Sequence, residues 1–217
     1  IENSLSCSSM TARFSTLLKP YDMATYLREV ALFSDWFLPQ VMGREAAQAL
    51  RSEYLALWEA VIAGAGLKQN CLVHRDYHAD NLFWLEGKRG HHAVGMIDYQ
   101  DALWGDAAYD LVSLLEDVRR DVPSALALRL KAQYVRESAV AADVFHRAYA
   151  VLAAQRNSKI VGNFTRLAAR DGKAHYLNFL PRVWAHLRTD LAHPALMPLR
   201  EWIDKNIPED AQGALAA

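Results

Sequence analysis

Apolar residues recur at helical spacing along most of the chain, and the places where that rhythm breaks define its organisation. Met23, Tyr26, Leu27, Val30, Phe33 and Phe37 line one face of a first helix, with Asp22 as its cap and Pro39 as its end. Ala47, Leu50, Tyr54, Leu57 and Val61 line a second over residues 44–63, stopped by Gly64 and Gly66. The rhythm then fails. "CLVH" at 71–74 reads as a short buried strand. "NLFWL" and "AVGMI" read as two arms around the charged, glycine-containing "EGKRGHH", which suits a hairpin loop. From Asp106 the helical spacing returns. "AAYDLVSLLEDVRR" runs to Pro123, and "ALALRLKAQYVRESAV" follows. A long "ADVFHRAYAVLAAQRNSKIVGNFTRLAAR" is expected to bend near Gly162. "AHYLNFLPRVWAHLRTDL" and "LMPLREWIDKNI" close the chain. The pattern predicts two helices, a small β-island and a helical bundle: an α+β fold, mostly helical. Residues 1–20 are serine-rich and end at Pro20, which reads as a tail or linker before a single lobe over 21–217.

Composition narrows this little. The 217 residues are 52% hydrophobic and 23% charged, enough for a packed core. The formal net charge of -1 argues against a nucleic-acid partner. Two cysteines, Cys7 and Cys71, fit a reducing compartment, with Cys71 as a small buried hydrophobe. No apolar run approaches the ~18 residues of a membrane span. The expectation is therefore a cytoplasmic protein without membrane contact. The first residue is Ile rather than Met, which suggests a trimmed chain or a piece of a longer one.

Candidate chemistry concentrates in "LVHRDYHADNLFWL" at 72–85. His74, Asp76, Asp80 and Asn81 share one loop, and Asp98 follows at the end of the next arm in "GMIDYQD". Phosphoryl transfer needs a carboxylate to orient the acceptor hydroxyl and oxygen ligands for Mg²⁺; Asp76, Asn81 and Asp98 supply such groups. A transition-metal site is a second reading, from His74 and His78 four residues apart with His91 and His92 nearby. Zinc takes that spacing on a helix face, whereas these flanks read as strand and loop. A third reading makes the polar residues simple turn formers. It suffices for Asp80 or His78 alone. It serves poorly for His74, Asp76, Asn81 and Asp98 together, set against a buried island.

"HRDYHADN" resembles the catalytic loop of protein kinases and of the aminoglycoside phosphotransferase family of small-molecule kinases. "MIDYQD" is similar to that family's metal-binding segment, and "GDAAYDLVSLL" to the helix whose inward acid, here Asp110, supports the loop. "YLREVALFSDWFL", "AAQRNSKIVGNFTRLA" and "LPRVWAHLRTDLAHPAL" resemble one branch, the cell-wall-recycling kinases that phosphorylate N-acetylmuramate and N-acetylglucosamine at the anomeric hydroxyl. The likeness runs from about Tyr21 to about residue 207. It implies the C-terminal lobe of the protein-kinase-like fold. It makes Asp76 the catalytic carboxylate, His74 its brace, Asn81 and Asp98 the Mg²⁺ ligands, and ATP the co-substrate. Arg75 stands where the aminoglycoside enzymes often carry Gly. Its role is open between a solvent salt bridge and a contact to substrate or phosphate.

Such a kinase also needs a lobe with a Gly-rich loop and a strand Lys that clamp the phosphates. The chain has no G-x-G-x-x-G and no strand Lys ahead of residue 72. The expectation is that this N-terminal lobe lies upstream. The chain alone should then bind ATP poorly and turn over little, and the face the lobe would cover should be apolar. For the acceptor, Gln100, Asp101, Trp104, Arg156, Asn157 and Lys159 are candidates. Arg156 or Lys159 would suit the lactyl carboxylate of N-acetylmuramate. "QRNSK" reads equally as a solvated helix face, as do Glu116 and Asp117. Other acceptors (an aminoglycoside, choline, homoserine) and a non-catalytic binding lobe are the alternatives.

Overall fold

The computed structural model describes residues 18–138, 140–212 and 215. Most of the serine-rich start, with Cys7, lies outside the described residues. Asp22 accepts a hydrogen bond from the Thr25 amide at 2.8 Å and so caps helix α1, Met23–Leu32. The helical path does not stop at Pro39. A π-helical turn, Phe33–Phe37, leads into α2, Leu38–Met42, and Pro39 falls in its first turn, where a missing N–H leaves no intrahelical bond unmade. The stop comes at Gly43, whose φ of 82° lies in the left-handed region. Helix α3, Arg44–Gly64, then buries Ala47, Tyr54, Trp58, Val61 and Ile62.

Two small antiparallel pairs make up the β-island. Strand β1, Cys71–Val73, pairs with β4, Leu103–Gly105; β2, Leu82–Trp84, pairs with β3, Val94–Met96. The apolar pattern did not predict β4, a three-residue strand beside a polar run whose partner lies some thirty residues earlier. The chain before α1 joins it: Trp104 N–H donates to the Lys19 carbonyl and Tyr21 N–H to the Trp104 carbonyl, each at 2.8 Å. Lys19 and Pro20 therefore belong to the sheet, not to a tail.

The remaining helices are α4, Ala108–Leu115; α5, Ser124–Ser138; α6, Ala142–Asp171; α7, Leu180–Leu191; and α8, Met197–Asn206. Helix α6 is the pillar of the fold and packs against α1, the π-turn, α4 and α7. Its Val151, Leu152, Ala153, Ala154 and Val161 are wholly inaccessible. Helix α6 runs unbroken through Gly162 for 30 residues. A Cβ at position 162 would sit 2.1 Å from the Leu32 carbonyl carbon and 2.4 Å from the Phe33 nitrogen. Glycine is required here because two helix backbones cross in contact. That crossing sets Glu29 of α1 beside Gln155 and Lys159 of α6. No helix among the described residues is long and apolar enough to cross a membrane.

Candidate active site

Strand β1 delivers the chain into the loop at 74–81, and α4 holds that loop from below. The backbone N–H groups of His74 and Arg75 donate to the two carboxylate oxygens of Asp110, at 2.7 and 3.0 Å. Burial lifts the Asp110 carboxyl above its ordinary range, against the downward pull of those two bonds. The grip holds Arg75 at a φ of 74°, a left-handed conformation that costs an L-residue roughly 1 kcal/mol or more.

The His74 side chain ties the loop to the second arm. Its ring is buried, and Nε2 lies 2.9 Å from the Ile97 carbonyl, an acceptor, so this nitrogen carries the proton. The next residue is Asp98, itself left-handed at a φ of 65°. Asn81 closes the circuit. Its side-chain Nδ2 donates to the Asp76 carbonyl at 2.9 Å, and its own carbonyl accepts the Ile97 N–H at 3.1 Å. Hydrogen bonds thus join Asp76, Asn81, His74 and Ile97, and Asp98 follows Ile97 directly in the chain; the Asp76 and Asp98 side chains face solvent.

The donor set suits Mg²⁺. With Nδ2 committed to the Asp76 carbonyl, Asn81 presents its amide oxygen, and Asp98 presents a carboxylate one arm away. No cluster of three or more His, Cys, Asp or Glu side chains that could hold a metal exists among the described residues. His91 and His92 sit, exposed, in a 3₁₀ turn at the far end of the β2–β3 hairpin.

Beside Asp76 opens a recess of about 90 Å³, whose walls include His78, Tyr109, Arg119, Arg156 and Lys159. That volume takes one group of a ligand, not a whole sugar. Larger open hollows, of about 540 Å³ beside Arg188 and about 310 Å³ beside Gln40, share no residue with the loop. His78, expected as a turn former, is buried and stands 3.5 Å from the Asn81 amide. Burial, then the nearby Arg119 charge, push its pKa below the usual histidine value, which favours the neutral ring at pH 7.

Behind the recess lies a hub that no sequence pattern announced. Glu29, with its side chain 7% exposed, pairs with Arg75, with Lys159 at 3.0 Å and with Gln155 at 2.9 Å, and accepts from the Tyr21 hydroxyl. Arg75 therefore forms a largely buried salt bridge rather than a solvent one, its other terminal nitrogen donates to the Asp101 carbonyl at 3.2 Å, and the residue also lines the recess. Burial raises the Glu29 pKa, but Lys159 and Arg75 outweigh it and hold the carboxyl at about 2, against an ordinary 4.5. A depressed carboxylate pKa stabilises the fold above the unfolded value and loses that stability as pH falls towards the folded one. The stability gap between wild type and Glu29→Gln should shrink by roughly 2 kcal/mol between pH 7 and pH 3 in urea unfolding. A pH-independent gap would show that Glu29 is not held ionised.

The other candidates divide. Arg156 and Lys159 line the recess, whereas Asn157 is fully buried away from it and donates to Glu116 at 2.8 Å and Asp190 at 2.9 Å. Gln100 donates to Asp98 at 2.6 Å, and both Gln100 and Asp101 are exposed outside the recess. Trp104 donates through its indole to the Gln69 carbonyl at 2.9 Å, a structural contact. The solvated faces expected for "QRNSK", Glu116 and Asp117 do not exist: Gln155, Arg156, Asn157, Ser158, Glu116 and Asp117 are all buried. The helix is enclosed on most sides, so the usual division into wet and dry faces fails. Burial and the neighbouring Glu116 raise the Asp190 pKa well above the carboxylate range.

The β2–β3 hairpin presents an apolar surface, with Phe83 49%, Trp84 73%, Met96 51% and Tyr99 65% exposed.

Comparison with known proteins agrees with this geometry. An N-acetylmuramate/N-acetylglucosamine kinase of Caulobacter vibrioides is 36% identical over 182 residues, covering 83% of this chain and 50% of the relative. The protein of the same name from Neisseria meningitidis is 34% identical over 179 residues (79% and 52%), and that from Pseudomonas aeruginosa 33% over 208 residues (90% and 59%). The chain spans about half the length of the curated relatives it matches. Residues 10–149, more than half of the chain and including the whole loop web, match the phosphotransferase enzyme family. The chain belongs to that family.

Proposed function

We propose that the chain carries the catalytic loop and acceptor site of an ATP-dependent kinase. It would phosphorylate an amino sugar, N-acetylmuramate or N-acetylglucosamine, at the anomeric hydroxyl during cell-wall recycling. The observation that carries this reading is the hydrogen-bonded loop that joins Asp76 to Asn81 and Asn81 to Ile97, the residue before Asp98, with Asp76 at the edge of a recess. Asp76 accepts the proton of the sugar hydroxyl, or orients it, from an exposed position at the recess edge. Asn81 and Asp98 would hold Mg²⁺, whose charge would offset that of the nucleotide phosphates. His74 and Asp110 keep these groups in register without touching substrate. The names of the relatives support the sugar as acceptor.

Charge favours a sugar over the competing acceptors. Arg75, Arg119, Arg156 and Lys159 wall the recess, with Asp76 as its one acid. A polycation such as an aminoglycoside, or a choline, would meet repulsion there. Glu116 and Asp117, the acids that such a cation would need, are buried and turned elsewhere. The apolar hairpin surface supports a further lobe that covers it and clamps the nucleotide in the complete protein.

An ADP-release assay on the complete protein, run over N-acetylmuramate, N-acetylglucosamine, an aminoglycoside, choline and homoserine, tests the reading. Turnover should be confined to the two sugars, stop with EDTA, and give a product whose phosphorus couples to the anomeric proton. Turnover of only the amines or of homoserine would overturn the acceptor assignment. Turnover of none, with Mg²⁺ present, would favour a non-catalytic binding lobe.

A further inference from the structure

The cations around the recess are not equivalent. Arg75 and Lys159 share Glu29. Arg119 stands 3.7 Å from Asp117 and 3.8 Å from Asp80. Arg156 has no such partner: it is 5% exposed, forms no ion pair with any described carboxylate, and its Nη1 is buried without a hydrogen-bond partner. Of the acids deeper in the fold, Glu116 accepts from Tyr149 and Asn157 and Asp190 from Asn157, while Asp117 keeps one buried oxygen without a partner. A guanidinium at that depth with an unbonded nitrogen is costly to the fold, even with the Asp190 charge in its neighbourhood. Such a group persists where something outside the fold completes it.

What completes it must be an anion that reaches the recess. The phosphates are poorly placed to do so. Asn81 and Asp98, which would hold the Mg²⁺ that binds them, do not line the recess, whereas Asp76, which meets the acceptor, does. The recess of about 90 Å³ suits one small substituent, and a planar guanidinium suits a planar carboxylate. We infer that Arg156 anchors a carboxylate carried by the acceptor, and so sets the preference for an acidic amino sugar over a neutral one. The inference rests on the sugar-kinase reading above and assigns to Arg156 a task that Lys159, already paired with Glu29, does not share.

The test compares N-acetylmuramate with N-acetylglucosamine on the complete protein, for wild type, Arg156→Met and Arg156→Lys, by KM, kcat and thermal shift. Arg156→Met should weaken the acid sugar about 30-fold more than the neutral one, the loss lying in KM, with part of it restored in Arg156→Lys. Without ligand, Arg156→Met should melt no lower than wild type, because it removes an unpaired buried charge. N-acetylmuramate should raise the melting temperature of wild type more than that of Arg156→Met. Equal losses for both sugars, or a fall confined to kcat, would overturn the inference and give Arg156 to the transferred phosphoryl group. A ligand-free Arg156→Met that melts well below wild type or fails to fold would overturn it too, by showing the charge already compensated. If wild type acts on both sugars and the ratio does not move, the inference alone fails. If wild type acts on neither, the sugar reading fails and takes the inference with it.

Discussion

Asp76→Ala should lower the proposed sugar phosphorylation by the complete protein about 10³-fold, and raising Mg²⁺ should not recover it. A positioned base typically contributes 10²–10⁴-fold, and no other carboxylate lines the recess. The variant is informative because the side chain is exposed while the loop is held through backbone groups. The Asp76 carbonyl still accepts from Asn81 and from the His78 amide, and Asp110 still grips the two residues before it. Stability should therefore move by no more than about 0.5 kcal/mol, a shift of roughly 2 °C in melting temperature. Turnover within a few-fold of wild type would remove Asp76 from the chemistry. A melting temperature that collapses with the activity would make the residue structural.

Gly162→Ala should destabilise the fold by roughly 3 kcal/mol or more, an expected fall of about 6–12 °C in thermal unfolding. A methyl at this position would overlap the Leu32 carbonyl at 2.1 and 2.3 Å. These are backbone atoms and cannot rotate aside, so α1 and α6 must separate. Separation reaches the site, because Glu29 on α1 meets Lys159 and Gln155 on α6. A variant that still folds at low temperature should accordingly also lose activity. A melting temperature within 2 °C of wild type would show that the crossing is looser than the distances imply.

Local features were legible in the amino-acid pattern, and distant ones were not. The first two helices, the hairpin and the polar loop could be read because each is written in contiguous residues. Asp22 as a cap and Gly66, left-handed just past the end of α3, are short-range chemistry, whereas Gly64 is the last residue of that helix. Pro39 misled because a π-turn just before it absorbs the missing donor, and no residue type signals such a turn. Strand β4 was invisible because pairing with β1 and with Lys19–Tyr21, not its own apolar pattern, makes it a strand. The same reason hid the Glu29 hub, whose partners Arg75 and Lys159 lie 46 and 130 residues away. The polar run of α6 read equally as wet or as an acceptor site, because a helix surrounded by others buries its polar side chains as well. The partners of its Asn157 are Glu116, just past α4, and Asp190 on α7.

The left-handed turn at Arg75 has a consequence for how this chain can vary. A glycine there would adopt the turn without strain, yet it would abandon Glu29 to Lys159 and leave the loop without its side-chain anchor on α1. A neutral residue at 29 would leave the arginine and the lysine facing each other across the vacated site. Positions 29 and 75 are thus epistatic: a path from one loop architecture to the other must change both, and each intermediate is worse than either end.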